Sequence, residues 1–124
     1  MLNIKDKNRK KVFGQELMMN LYGCDLEVMC SRKKMQEFCE KVCKIINITP
    51  VGRAIIKNTG TGDIKGYSVC QFLVTSTIVI HTCDPILETY INIFSCRLFK
   101  NKEAVEFTKK FFKPKKIKKL SLFR

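Results

Sequence analysis

The sequence predicts an α+β protein: a two-layer sandwich with a mostly antiparallel sheet and helices packed on one face. Three observations carry this. Six stretches have the alternating or β-branched character of strands, and only two have the apolar period of a helix. Most neighbouring strands are joined by a few turn-forming residues, too few for the crossover that a parallel pair needs. The 124 residues suffice for one domain with one modest core. The chain, 1–124, therefore reads as a single domain, with basic tails at 1–11 and 115–124.

The elements follow in order. Residues 12–22 read as a strand, with Phe13, Leu17, Met19 and Leu21 mostly alternating, and Gly23-Cys24-Asp25 breaks it. Ser31 caps a helix running to about Ile46. Its stripe of Met35, Phe38, Val42, Ile45 and Ile46 faces the core, and Glu37, Lys41 and Lys44 face water. Residues 49–57 read as a strand with Pro50 at its start, where a missing N–H is tolerated. Residues 58–63 read as a loop, and without a GKS/T ending its glycines make no P-loop. Residues 66–74 and 77–82 are strands so close that Thr75-Ser76 is their turn or the entry to the second. Asp84-Pro85 marks a turn, and 89–96 is a strand with Tyr90, Asn92, Phe94 and Cys96 on one face. Asn101 caps a helix from 102 to about 112, with Ala104, Val105, Phe107 and Phe111 apolar, and Pro114 ends it. Residues 117–123 add a short edge strand, whose lysines guard against pairing with other chains.

Composition excludes several classes. A hydrophobic fraction of 45% argues against wholesale disorder. No run of about 18 apolar residues is present, so no membrane span is predicted. The polar, basic start has no apolar core of a secretory signal. With an odd count of seven cysteines, this points to a cytoplasmic protein without a disulfide framework. Cys39 and Cys43 are four apart on a helix, but no other Cys or His pair has ligand spacing, so no metal site is predicted. The net charge of +13 is crowded at the two ends. No aromatic interleaving, helix-turn-helix or zinc-finger pattern accompanies it, so the ends read as solvated tails and not as a nucleic-acid interface.

The stretch 74–82 is uncharged and β-branched, and it holds Ser76 and His81, the only histidine. On a buried strand these are either satisfied polar groups packed in a sheet or chemistry. Ser68 lies on the strand before and Cys96 at the end of the strand after. Adjacent antiparallel strands can bring such groups within a few ångströms. A Ser–His–Cys set has parts for nucleophilic and acid–base work, but no carboxylate is placed to orient the histidine as in a protease triad.

Together, Gly66-Tyr67-Ser68, the run from Thr75 to Thr82, and Ile93-Phe94-Ser95-Cys96 resemble the small bacterial and archaeal S-adenosylmethionine decarboxylases. Leu21-Tyr22-Gly23-Cys24-Asp25 resembles that family's first strand and turn. The resemblance covers residues from about 13 to about 116, and the spacings among Ser68, Ser76, His81 and Cys96 fit without a gap. It implies an enzyme that cuts itself between Thr75 and Ser76 and converts Ser76 to a pyruvoyl cofactor, which forms a Schiff base with the substrate amine. It further implies that His81 assists elimination, Ser68 helps hold the ester intermediate, and Cys96 returns a proton to the product. The implied substrate is S-adenosylmethionine, the implied product an aminopropyl donor for spermidine synthesis, and the implied assembly a homodimer or larger.

The chain departs from the family's pattern at five places. Thr75 stands where the family usually has glutamate, Thr77 where histidine is common, and Val69 where glycine is frequent. Cys83, and the loop 61–65 before Ser68, lack the aromatics that sandwich the adenine, with Tyr67 or Tyr90 as replacements. Two other readings follow from these departures: a pyruvoyl decarboxylase for ornithine or arginine, and an unprocessed, non-catalytic partner subunit.

Overall fold

The computed structural model describes residues 12–124. The stretch 1–11, read above as a basic tail, lies outside the described residues. The strands are β1 (Gln15–Tyr22), β2 (Ile55–Thr59), β3 (Gly66–Leu73), β4 (Ser76–Cys83), β5 (Glu88–Ser95) and β6 (Lys116–Phe123). The helices are α1 (Leu26–Met29), α2 (Arg32–Ile46) and α3 (Asn101–Phe112). The sheet order is β2-β3-β4-β5-β1-β6, and every neighbouring pair is antiparallel. This is the α+β sandwich that the sequence predicts.

Alternation along the strands explains the two layers. Leu17, Met19 and Leu21 on β1, Ile78 and Ile80 on β4, and Ile91 and Ile93 on β5 point one way and are buried. Met35, Phe38, Cys39, Val42 and Ile46 of α2, with Ala104, Val105 and Phe112 of α3, cover them. The Phe38 ring meets Phe107, Phe111 and Phe112 at centroid distances of 5.5, 5.3 and 5.1 Å, which ties the two long helices together. The other face of the sheet, with Met18, Val79, Tyr90 and Phe94, has no helix over it among the described residues and is only partly buried. We call it the open face.

The boundaries correct several expectations. Ser31 caps α2 as predicted, its side chain accepting from the Lys34 N–H at 3.1 Å. α3 begins at Asn101 itself, with Lys100 at the cap position and no side-chain cap bond. Asn101 Oδ1 instead accepts from Gln15 Nε2 at 2.7 Å, which draws it away from a capping role. The strand expected at 49–57 lies at Ile55–Thr59, and Pro50 makes only an isolated bridge to Leu73. The helical turn α1, held by Asp25 accepting from the Glu27 N–H at 2.9 Å, was not anticipated. The edge strand expected at 117–123 is β6, paired with β1 from Lys116 to Phe123, so most of the basic stretch 115–124 is strand and not tail.

Candidate active site

β3 and β4 are joined by a turn on Val74 and Thr75. Thr75 has φ +51°, in the left-handed region. For a β-branched residue this is an outlier that costs about 1–3 kcal/mol and persists only where neighbours enforce it. Here the segment 49–51 does so. Val74 N donates to Thr49 O at 3.1 Å and Val51 N donates to Phe72 O at 2.8 Å, so the strand end beside Thr75 is clamped.

Ser76 opens β4 on the helix-covered face and is 5% exposed. Its Oγ accepts from the Cys96 backbone N–H at 2.8 Å. The Cys96 thiol donates to Val74 O at 3.5 Å. A buried hydroxyl, a buried thiol and a strained residue thus meet at one end of the sheet. Beside them is a pocket of about 220 Å³, lined by Asn47, Ile48, Thr49, Val74, Cys96 and Arg97. Arg97 Nη1 donates to Asn47 O at 2.9 Å, which anchors the guanidinium at the pocket edge.

Ser68 and His81 form a second pair. They are register partners on β3 and β4, and Ser68 Oγ lies 3.0 Å from His81 Nδ1 on the open face. Thr59 of β2 continues the chain, its Oγ1 lying 2.7 Å from Ser68 Oγ. Gly66 fixes the approach of these strands, because a Cβ there would lie 1.9 Å from Thr82 O. Across β5, His81 faces Tyr90, whose hydroxyl donates to Glu88. That bond, more than burial, pushes the Tyr90 phenol up to about 12. His81, Tyr90, Asn92, Phe94, Met18 and Arg124 help line an open concavity of about 520 Å³.

The structure therefore joins Ser76 to Cys96 and Ser68 to His81, but it does not join the two pairs. Ser76 and His81 are five positions apart on one strand, at about 3.3 Å each, so their Cα atoms are separated by roughly 16 Å. An odd spacing also puts them on opposite faces. Sequence reasoning missed Thr59, which sits in a stretch that reads as loop, and Arg97, for which adjacency to Cys96 was the available signal.

The S-adenosylmethionine decarboxylase family matches residues 15–124. The chain belongs to this family. It is 31% identical over 86 residues to the S-adenosylmethionine decarboxylase proenzyme of Sulfurisphaera tokodaii, spanning 69% of this chain and 66% of that one. This second share is just under two thirds of the relative's length. It is 26% identical over 113 residues to the proenzyme of Clostridium botulinum (strain Loch Maree / Type A3), spanning 89% and 94%. The fold superposes on the crystal structure of the adenosylmethionine decarboxylase from Aquifex aeolicus with a TM-score of 0.76 and 20% identity, covering 93% of this chain and 92% of that one.

Within the decarboxylase fold, the departures acquire positions. Val69 is in the core, opposite Ile80. Cys83 is buried at the end of β4 opposite Glu88, and burial pushes its thiol up. Thr77 is on the open face between Phe72 and Phe94. Tyr67 is occupied on the helix-covered side: Arg32 lies 5.2 Å from its ring and its hydroxyl donates to Cys30 O at 3.4 Å. Phe72, Tyr90 and Phe94 are the aromatics on the open face beside His81 and Thr77.

Proposed function

We propose that this chain is a pyruvoyl-dependent S-adenosylmethionine decarboxylase that cuts itself between Thr75 and Ser76. The observation that carries the reading is the strained turn at Thr75 (φ +51°) next to a serine whose Oγ is held at 2.8 Å by the Cys96 N–H. In the cut, Ser76 Oγ forms a bond to the Thr75 carbonyl carbon and the Thr75–Ser76 amide bond breaks, giving an ester and a free amine. Elimination then removes the Ser76 Cα proton and breaks the Cβ–Oγ bond, releasing Thr75 as a carboxylate; the dehydroalanine left at position 76 tautomerises to an imine, and water hydrolyses this to the pyruvoyl carbonyl with loss of ammonia. The Cys96 N–H supports negative charge growing on Oγ, and the fixed geometry spares part of the entropy of approach. Thr75 needs no carboxylate for this, because the reacting group is its backbone carbonyl.

The site fits the group it would make. The residue that becomes pyruvoyl stands at a strand end next to a pocket and not inside a packed strand. When present, a pyruvoyl group supplies a conjugated carbonyl that takes up the electrons left as CO₂ departs. The residues around it have separate tasks. Cys96 carries the proton returned to the product carbon. The pocket of about 220 Å³ accepts the amino-acid end of S-adenosylmethionine and leaves the adenosyl group outside. Tyr90 offers the face on which adenine stacks, since the Phe94 ring already stacks on Phe13 at 6.1 Å and carries Arg124 at 4.9 Å from its centroid. The product serves as the aminopropyl donor for spermidine synthesis.

His81 and Ser68 cannot reach Ser76 of their own chain across roughly 16 Å of strand. A homodimer in which the β3–β4 hairpin end of one copy, where Val74 and Thr75 are exposed, meets the open face of the other lets one copy serve the hairpin of its partner. A cytoplasmic setting suits the seven free cysteines, since thiols persist where the compartment is reducing. Intact mass tests the reading. The wild-type chain should give two fragments divided before Ser76, and Ser76→Ala should give one uncut chain of 14.4 kDa. A wild-type chain that stays whole and does not react with carbonyl reagents would overturn it.

A further inference from the structure

We propose that Thr59 is a positioning residue for self-cleavage, deciding through Ser68 which ring nitrogen of His81 carries the proton. The inference rests on the reading of His81 as the group that assists elimination. Thr59 Oγ1, Ser68 Oγ and His81 Nδ1 form an unbroken line at 2.7 and 3.0 Å. The Ser68 hydroxyl has one proton, and it goes either to Thr59 or to His81.

The surroundings decide between them. Thr59 is exposed, so its own proton has water as a partner and its oxygen is left to accept from Ser68. With its proton on that bond, Ser68 turns a lone pair to the ring. His81 then donates from Nδ1, and the Nε2 lone pair points outward as a base. In a neutral imidazole the partner of one nitrogen sets the state of the other. Without an acceptor at position 59, the Ser68 proton turns to Nδ1. Nε2 then carries the hydrogen, and the outward nitrogen loses its lone pair. The other neighbour of the ring does not compete, because the Tyr90 hydroxyl is committed to Glu88. The strand register makes the line rigid: Thr59 pairs with Gly66, Lys57 with Ser68, and Ser68 with His81.

The chain has a single histidine, so ring ¹⁵N NMR gives one unambiguous tautomer. Spectra are taken in the uncut Ser76→Ala chain, and cleavage is timed in the Ser76 chain by intact mass. Alone, Ser76→Ala should show the Nδ1–H form. Adding Thr59→Val should move the population to Nε2–H, and Thr59→Ser should restore it. In the cleaving chain, Thr59→Val should slow the cut about two- to tenfold, the factor one neutral hydrogen bond supplies. Thr59→Ser should stay within about twofold of wild type on the same scale. An unchanged tautomer in Thr59→Val overturns the positioning role whatever the cleavage rate. Failure of Thr59→Ser to restore the tautomer also overturns it. A tautomer that moves while the cleavage rate does not keeps the Thr59–Ser68 control of His81 and removes His81 as the base. A wild-type chain that never cuts, with the tautomer still moving, refutes the function and not the relay.

Discussion

Replacing Thr75 by glycine tests whether strain at the turn is used in cleavage. At φ +51° a threonine carries about 1–3 kcal/mol of backbone strain, and glycine carries almost none there. Glycine also gives the unfolded chain more freedom, which offsets about 0.5–1 kcal/mol. In the uncut Ser76→Ala background, Thr75→Gly should therefore be neutral or up to roughly 2 kcal/mol more stable. In the cleaving chain the prediction is the reverse in benefit. Scission frees Thr75 completely, and the attack on its carbonyl frees it in part. If half of a 2 kcal/mol strain is released at the transition state, Thr75→Gly should cut about fivefold more slowly. Removing the β-branch also uncrowds the carbonyl, which acts in the opposite direction, so the net rate is decisive. The assay is the time course of intact mass after rapid refolding, alongside urea unfolding followed by circular dichroism, since the chain has no tryptophan. A Thr75→Gly chain that is more stable but cuts as fast as wild type, or faster, refutes the use of strain.

Three further outcomes follow from the same geometry. Cys96→Ala keeps the backbone N–H that holds Ser76 Oγ, so the chain should still cut, while turnover should fall about 10²–10⁴-fold for loss of the proton donor; normal CO₂ release from labelled S-adenosylmethionine would exclude that role. In a mixture of His81→Ala and Ser76→Ala chains, the His81→Ala copy should be cut by its partner's histidine; no cut in any mixture would place catalysis within one chain and contradict the dimer. Alkaline pH should destabilise the fold through α2: burial holds the Cys39 and Cys43 thiols up to about 12 and about 11, so their contribution is intact below pH 9, where unfolded thiols are protonated, and is lost as pH rises from there. Between pH 9 and 10 this amounts to about 1 kcal/mol per thiol, and Cys39→Ala should remove about half of the combined slope in urea unfolding; an equal slope in wild type and variant would assign the loss elsewhere.

The fold was legible where periodicity was strong. The α2 stripe and the alternation of β1, β4 and β5 each bury what the pattern says they bury. It was illegible where burial is slight. β2 is an edge strand with four of five residues exposed, so it has no apolar alternation, and Pro50 drew the expected start too early. β6 was legible despite its lysines, because edge strands carry charge against aggregation. α1 is four residues long, too short for a period, although Asp25 gave its cap. The site divides in the same way. Ser76 and His81 were found by residue type and spacing, and their opposite faces were already implied by an odd spacing. The left-handed Thr75 was not readable, because sequence would assign such a position to glycine. Local rules break where the surroundings enforce a strained residue, and such places are enriched in functional sites.

The split of the site over two faces gives the open face its meaning. Ile55, Phe72, Leu120 and Leu122 lie on it and are 48, 50, 60 and 43% exposed. Their strand register puts them on the side that carries Ser68 and His81. Helices cover the other side of the same sheet, so these side chains are not leftovers of a poor core. An apolar sheet face without a covering layer marks an association surface. Of the two proposed pairs, Ser68 and His81 lie on that surface without Ser76, and Ser76 and Cys96 lie under the helices without a histidine. Covering this face in the proposed homodimer removes apolar surface from water, and a partner's histidine reaches Ser76 only from the β3–β4 hairpin end, where Val74 and Thr75 are exposed.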